Sequence, residues 1–414
     1  MREDSLLRHL IAEHYTLESL QTTRRVLEQH HTHEIHPVAH GLFAASPSQS
    51  KESVTGYQNV WVRDNVIVAN SFRLRGELAP AVGCMQGLTQ FFATQIPRFR
   101  EIIQDSFLKN DPHRRPHIRF DARTLAELPD PWPHAQNDAL GQALWFRFVL
   151  ANSGAMPLTH ADLEVFSLFP GYFAAIEYWR DEDSGAWEEG MKINNSSVGA
   201  VVAGLEEMKK CAAFAANQAQ LNELIAEGRK RLANTLPFES PSERLVDSAL
   251  LLLIHPLDVI RDPKTETAIL NLVQARLKGE VGIKRYPGDS YFCQDYDDWF
   301  KPEEMSADFS DRLEFRDAHL QPNCEAQWCI FDPLLSIIYG QRFLADRSRS
   351  DDFHKQVHYF NRSLAQLSVA GECPELYFLK NGRYIANAHT PLAWTQANQA
   401  LALHLMEQSV REMQ

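Results

Sequence analysis

The chain has 414 residues, of which 44% are hydrophobic and 23% charged, and its formal net charge is −13. This composition is typical of a globular protein with a sizeable core, and the acidic balance disfavours nucleic acid and anionic membranes as partners. The N-terminal residues lack the apolar segment of a signal peptide, the longest apolar run, 249–254, is too short to span a bilayer, and the six cysteines are scattered, so we expect a cytoplasmic protein with reduced thiols.

Apolar residues recur at helical spacing along most of the chain, whereas alternating strand patterns are few and short. Ser240 with Glu243 forms a capping box that predicts one helix start, and Thr159 with Asp162 is a weaker version of the same signal. The predicted helices cover 6–28, 62–76, 80–106, 137–152, 160–178, 195–214, 217–233, 241–254, 265–278, 324–343, 352–367 and 391–408, and the predicted strands cover 283–291 and 377–384.

This pattern predicts an all-α fold of about a dozen helices in a single domain over residues 1–414. A single layer of stacked helices would be a solenoid, and a closed ring of helix pairs would gather its loops at one end. Periodicity does not separate the two arrangements. The aromatic and charged motifs fall mostly between helices, which favours a ring with a pocket at one end.

The first motif is Trp61 followed closely by Arg63 and Asp64. Arginine supplies hydrogen-bond donors and aspartate accepts, so the pair could bind several hydroxyls of one sugar. The alternative is an ion pair at a helix start, with Asp64 as the cap.

The second motif runs from Trp132 to Asp138. Trp132 could cover the apolar face of a sugar while Gln136 or Asp138 binds its hydroxyls. The alternative is structural, since Asn137 or Asp138 would also be a good cap for the helix that follows.

Two further segments place carboxylates near aromatic residues. Trp187 is followed by Glu188 and Glu189, and burial against Trp187 would raise the pKa of one glutamate and make it a proton donor. Glu375 follows a Cys-Pro pair and lies upstream of Trp394. Hydrolysis of a glycosidic bond needs two such carboxyl groups, one protonated and one ionised. For Glu188 and Glu189 the alternative is a pair of solvated glutamates in a charged loop.

Other polar clusters are weaker signals. Arg285 and Tyr286 open a turn rich in hydrogen-bonding groups, which could equally be a plain Pro-Gly turn. The histidines of 30–36 could hold zinc, but they have no paired Cys and no His-Glu-x-x-His pattern, which favours a polar surface or pocket-rim loop; the spacing of Cys324 and Cys329 matches no zinc pattern well. The sequence has no glycine-rich phosphate loop, so we expect neither a metal nor a cofactor.

Taken in order, from about residue 41 to about residue 397, these motifs resemble glycoside hydrolase family 15, the glucoamylase family, and the related N-terminal domains of phosphorylase kinase regulatory subunits. The resemblance implies an (α/α)6 barrel, which agrees with the helix count, and an α-glucan or α-glucoside substrate. It makes Glu188 the general acid and Glu375 the best match to the general base, with Glu372 as a nearby competitor. The substrate-binding residues that we predict are Trp61, Arg63, Asp64, Trp132, Gln136, Asp138, Trp187, Glu189, Arg285, Tyr286 and Trp394.

The implied activity is hydrolysis with inversion, releasing glucose from the end of a soluble glucan or from a small glucoside. The segment after Glu189, Asn194-Asn195-Ser196-Ser197, looks more like the phosphorylase kinase relatives than like secreted glucoamylases. A second hypothesis is therefore a non-catalytic glucan-binding or regulatory module. A pocket that only bound sugar would not need two catalytic carboxylates, which favours the enzyme. A helical scaffold whose tryptophans all lie in the core is a third, weaker hypothesis.

Overall fold

Residues 8–47, 56–129, 132 and 134–413 are described in a computed structural model of the chain. Within these residues the secondary structure is mainly helical, with a few short strands. The helices are α1 (Leu17–Gln29), α2 (Val62–Leu74), α3 (Leu78–Gln104), α4 (Asn137–Asn152), α5 (His160–Phe166), α6 (Leu168–Ile176), α7 (Asn195–Lys210), α8 (Gln218–Thr235), α9 (Pro263–Arg276), α10 (Tyr296–Trp299), α11 (Leu313–Asp317), α12 (Phe331–Ala345), α13 (Ser350–Ala365) and α14 (Ala393–Met413). The strands are β1 (Val60–Trp61), β2 (Arg119–Phe120), β3 (Gln327–Trp328), β4 (Leu376–Lys380) and β5 (Arg383–Ala386).

Helices α2, α4, α7, α12 and α14 close an inner ring with the 3₁₀ helix Ser248–Leu253. Around the ring, α2 packs on α4, α4 on α7, α7 on the 3₁₀ helix, that helix on α12, α12 on α14, and α14 back on α2. Outer helices alternate with them along the chain: α1 packs on α14, α3 on α2, α8 on α7, α9 on the 3₁₀ helix and α13 on α12, while α6 lies between α3 and α8. The expected (α/α)6 barrel is thereby confirmed.

The inner helices are buried on almost every side, as a helix enclosed by others must be. Every residue of α4 from Asn137 to Phe148 is buried, whereas α13 buries mainly one face. Helices α4 and α7 approach closely at Gly141, where a Cβ atom would lie 2.5 Å from the backbone nitrogen of Val201. Only glycine allows this contact without a backbone shift.

Because inner and outer helices alternate, the inner helices run parallel and their N-terminal ends meet at one end of the barrel. The short strands lie at this end. Strand β1 leads directly into α2 and pairs with β2, and β3 precedes α12 and pairs antiparallel with β4. A hairpin joins β4 to β5 ahead of α14. These loops and strands are the parts of the chain that build the site.

Several boundaries differ from the sequence predictions. The strand predicted over 283–291 is wrong, because Ile283 makes only isolated bridges, to Lys278 and to Trp328. The capping box at Ser240 is also wrong: Ser240 closes a turn with Arg244, and the following helix is capped by Asp247. The box at Thr159 is confirmed. The predicted strand 377–384 is a hairpin, and the helix predicted from residue 324 begins at residue 331. Residues 6 and 7 of the first predicted helix lie outside the described residues, and in the described part of the chain α1 begins at residue 17.

No helix within the described part of the chain is long and apolar enough to cross a membrane. All six cysteines lie in that part, and none forms a disulfide. The same residues contain no group of three or more His, Cys, Asp or Glu side chains arranged to hold a metal ion. In the histidine cluster, His33 instead lies 2.8 Å from Gln399 and His31 lies 2.6 Å from Glu34.

Candidate active site

The loops at the N-terminal ends of the inner helices line a pocket of about 110 Å³. It brings together most of the residues that the sequence singled out, although they are spread over more than three hundred positions. The predicted residues on its wall are Trp61, Arg63, Asp64, Trp132, Trp187, Glu188, Glu189, Arg285, Glu375 and Trp394.

Arg63 lies in the first turn of α2 and is held rigidly from behind. Its Nε donates to Asp138 at 2.6 Å and its Nη2 donates to Gln136 at 2.9 Å. Gln136 and Asp138 are buried and are not among the described residues of the pocket wall; their role as hydroxyl ligands stays a prediction. Their oxygens accept from Arg63, and they orient its guanidinium towards the pocket.

Asp64 faces the pocket from the same turn. Burial raises its pKa to about 7, with the charges of Glu188 and Glu375 acting in the same direction and Arg63 opposing them. The alternative that Asp64 caps α2 is wrong, because the helix begins after Trp61.

Glu188 follows the short 3₁₀ helix Gly185–Trp187 and has a left-handed backbone, with φ of 58°. This turn directs its carboxylate between two tryptophans: Trp132 Nε1 donates to Oε2 at 2.9 Å, and Trp61 Nε1 donates to the same oxygen at 3.2 Å. Burial raises the pKa of Glu188, and Arg63, 3.5 Å from Oε1, opposes this shift. A carboxyl group in such surroundings is suited to donating a proton near neutral pH.

Glu189, the next residue, is surrounded by positively charged donors, unlike Glu188. Oε1 accepts from Arg285 at 2.9 Å and Arg316 at 2.5 Å, and Oε2 accepts from Arg244 at 3.1 Å and Tyr286. Although burial opposes it, the three guanidinium groups hold its pKa well below the usual range. These four donors match the four lone-pair positions of a carboxylate, and a direct contact of Glu189 with substrate stays a prediction. Glu189 fixes the arginines.

Tyr286 lies behind Glu189 and is absent from the described pocket wall. It therefore supports Glu189, and its direct contact with substrate stays a prediction. Arg285 reaches the pocket and also donates to Asp289 at 2.7 Å. Trp187 lines the pocket while its Nε1 donates to Asp247 at 2.8 Å, which fixes the ring beside the two glutamates.

Glu375 lies immediately before β4 and is 2% exposed. Tyr57 donates to its Oε1 at 2.7 Å, and Asn387 Nδ2 and His389 Nδ1 both contact its Oε2, at 2.5 Å and 2.8 Å. Glu372 is not among the described pocket residues and pairs with Ser368. The geometry therefore favours Glu375 over Glu372 as the second carboxylate of the pocket.

Sequence reasoning missed several residues of this site. Tyr57, Tyr291 and Trp328 lie on the pocket wall, as do Arg316 and the segment 306–310. Tyr57 stands four residues before Trp61, and an aromatic residue at that distance from a sugar-binding motif was a usable signal. The others come from loops without a recognisable pattern, and only the closure of the barrel brings them to the pocket.

Comparison with known proteins gives a consistent result. A profile of glycosyl hydrolases family 15 matches residues 26–315. The probable phosphorylase b kinase regulatory subunit alpha of Caenorhabditis elegans is 24% identical over 385 residues, covering 82% of this chain and 30% of that protein. The skeletal muscle isoform of the same subunit from Rattus norvegicus is 24% identical over 410 residues, covering 88% and 30%. The chain thus spans about 30% of the length of these relatives.

Solved structures agree on the fold. A wild-type glycosidase superposes with a TM-score of 0.69 at 17% identity, covering 98% of this chain and 99% of that one. A glucoamylase from Saccharomycopsis fibuligera gives a TM-score of 0.63 at 14% identity, covering 98% of both chains. The profile match covers well over half of the chain, and the chain therefore belongs to glycosyl hydrolases family 15.

Proposed function

We propose that the protein is an inverting, exo-acting hydrolase of α-glucosides, releasing glucose from soluble α-glucans or small α-glucosides. The observation that carries this proposal is the pair Glu188 and Glu375, two carboxylates in one pocket with contrasting surroundings. Glu188 accepts hydrogen bonds from two tryptophans, and Glu375 is contacted by Tyr57, Asn387 and His389.

In the proposed reaction Glu188, protonated, gives its proton to the glycosidic oxygen as the bond to the anomeric carbon breaks. Glu375, ionised, takes a proton from a water molecule that attacks the opposite face of the sugar ring. One water is consumed and the configuration at the anomeric carbon is inverted. The two carboxyl groups of such an enzyme are separated by roughly 6.5–9.5 Å to leave room for this water.

The pocket supports attack at a chain end. Its volume, about 110 Å³, is well below that of a site for a drug-sized ligand, roughly 300 Å³ or more. Arg63 is held in place by Gln136 and Asp138, and could donate to hydroxyls of the terminal sugar. Trp61 and Trp132 stand nearly perpendicular, with ring centroids 5.9 Å apart, and could cover two sides of the ring.

The experiment is to measure glucose release from maltooligosaccharides by the wild type and by Glu188→Gln and Glu375→Gln. We expect each substitution to lower kcat at least about 10²-fold, the usual size of a general acid or base contribution. Glu372→Gln is the matched control, because this neighbouring glutamate lies outside the described pocket wall. Loss of activity in Glu372→Gln but not in Glu375→Gln would overturn the assignment of the base.

The second candidate function is a glucan-binding regulatory module without turnover. It is favoured by the names of the curated relatives, which are regulatory subunits about 24% identical to this chain. Saturable binding of maltooligosaccharides by wild-type protein, with no glucose released, would support the module and refute the hydrolase.

A further inference from the structure

The carboxylate of Glu375 is held asymmetrically, and the asymmetry has a consequence for the proposed reaction. Oε2 receives two contacts, from Asn387 Nδ2 at 2.5 Å and from His389 Nδ1 at 2.8 Å. Oε1 receives one, from the hydroxyl of Tyr57 at 2.7 Å. Asn387 and His389 follow β5 and are almost completely buried, at 4% and 3% exposure.

The contacts fix the tautomer of His389. The proposed reaction requires Glu375 to be ionised, and an ionised carboxylate only accepts hydrogen bonds, so Nδ1 carries the proton that points at Oε2. The Nε2 atom lies 3.4 Å from the hydroxyl of Ser306 on the pocket wall. The amide of Asn387 must likewise present its nitrogen to Oε2, which explains why Nδ2 and Nδ1 lie only 3.2 Å apart.

The imidazole is also fixed in orientation. It stacks on Tyr57, with ring centroids 3.6 Å apart and the planes inclined by 10°. Phe292 packs against it edge-on at 5.9 Å. Tyr57, the donor to Oε1, and His389, a donor to Oε2, therefore form one rigid unit that grips both oxygens of Glu375.

Each carboxylate oxygen can accept about two hydrogen bonds. Among the described contacts Oε2 has two donors, whereas Oε1 has one and keeps a lone-pair position. We propose that His389 is a positioning residue for Glu375: with Asn387 it occupies Oε2 and so leaves Oε1, beside Tyr57, as the atom that takes the proton of the attacking water. In that step the water O–H bond breaks, its proton goes to Oε1, and its oxygen bonds to the anomeric carbon as the glycosidic bond breaks.

This inference rests on the proposed function, and its test separates the base from the acid. In hydrolysis of α-glucosyl fluoride, fluoride departs without needing a proton, so the Glu188→Gln variant should retain turnover while variants at the base should not. In His389→Phe the ring still stacks on Tyr57 but the Nδ1 donor is gone. We expect its kcat on α-glucosyl fluoride to fall about 10²-fold with KM nearly unchanged, the size expected when a reacting group is misplaced by about 1 Å.

Two further variants make the test specific. In His389→Asn the amide nitrogen stands the same number of bonds from Cα as Nδ1, so we expect kcat to recover at least about tenfold relative to His389→Phe. In a Glu375→Gln background His389→Phe should have no further effect, because a residue acting through the base has nothing left to position. An equal loss in both backgrounds, a change confined to KM, or full activity of His389→Phe would overturn the proposal.

The tautomer gives a readout that does not depend on turnover. Nitrogen-15 NMR of wild-type protein should place the imidazole proton of His389 on Nδ1, and Glu375→Leu should remove its hydrogen-bonded shift. Absence of a proton on Nδ1 would overturn the proposal whether or not the protein is a hydrolase. Absence of wild-type turnover on both α-glucosyl fluoride and maltooligosaccharides, with the Nδ1 proton present, would refute only the proposed function. Circular dichroism of each variant checks that it is folded.

Discussion

Replacing Trp61 by phenylalanine should shift the pH range in which the proposed acid works. The indole N–H of Trp61 donates to Glu188 Oε2 at 3.2 Å, and this contact stabilises the ionised carboxylate. Phenylalanine keeps an aromatic ring against Tyr57 and Trp132 but has no donor. Trp61→Phe therefore keeps an aromatic ring on the pocket wall, although a smaller one, and removes one hydrogen bond from the acid.

The size of the shift follows from the geometry. A hydrogen bond to a charged group is worth about 1.5–3 kcal/mol, and the lower value applies here because Trp132 donates to the same oxygen at 2.9 Å. Losing about 1.5 kcal/mol of stabilisation of the ionised form, a little more than the 1.36 kcal/mol that corresponds to a tenfold change in the protonation equilibrium, raises the pKa of Glu188 further. The acid then stays protonated to higher pH, so the basic limb of kcat/KM should move up by about one pH unit.

The assay is initial-rate glucose release from maltose across the pH range, with Trp394→Phe as the matched control. Trp394 lines the same pocket, but its Nε1 has no hydrogen-bond partner within the described structure. Its replacement should leave the basic limb in place. A limb that moves down in Trp61→Phe, or moves equally in the control, would refute the assignment of Glu188 as the acid held by the two tryptophans.

Three other substitutions test the supports of the site by chemical denaturation. Glu189→Gln should lower the free energy of unfolding by about 3–5 kcal/mol at pH 7, because it leaves three buried arginines without their shared carboxylate. Because the pKa of Glu189 is depressed, its carboxylate stabilises the folded protein above pH 4.5, its ordinary pKa, and this stabilisation is lost as the pH falls further. The difference in unfolding free energy between variant and wild type should therefore shrink on acidification. Asp138→Asn should cost a similar amount, about 3 kcal/mol, by removing the charge that pairs with Arg63 at 2.6 Å, with activity falling in parallel. Gly141→Ala should destabilise by about 1–3 kcal/mol or more, since its Cβ would meet the backbone of α7 at 2.5 Å; stability equal to wild type would contradict the packing described.

Much of the fold was predictable from the sequence because the signals were local and repeated. Helical periodicity identified most of the long helices, and the Thr159 capping box marked a true helix start. The box at Ser240 failed because the buried carboxylate of Asp247 caps the next helix instead. A local capping pattern does not reveal which of two nearby candidate helix starts will be used once the barrel has formed.

The candidate site, like the fold, was predictable only in part. The residues that carry a side chain into the pocket were found where they stand beside tryptophan, as at Arg63 and Glu188. Sequence reasoning could not separate direct contacts from supports, so Gln136 and Tyr286 were predicted to touch the substrate although they hold Arg63 and Glu189. His389 gave no signal, because its contact with Glu375 depends on the turn after β5.

The central claim is that Glu188 and Glu375 act as acid and base from opposite faces of one glucosyl unit. Proton NMR of maltooligosaccharide digestion, recorded before mutarotation equilibrates the product, tests it most directly. The account predicts that β-glucose appears first in the wild type and that its release is lost in both Glu188→Gln and Glu375→Gln. First release of α-glucose, or binding of the substrate with no glucose at all, would contradict it.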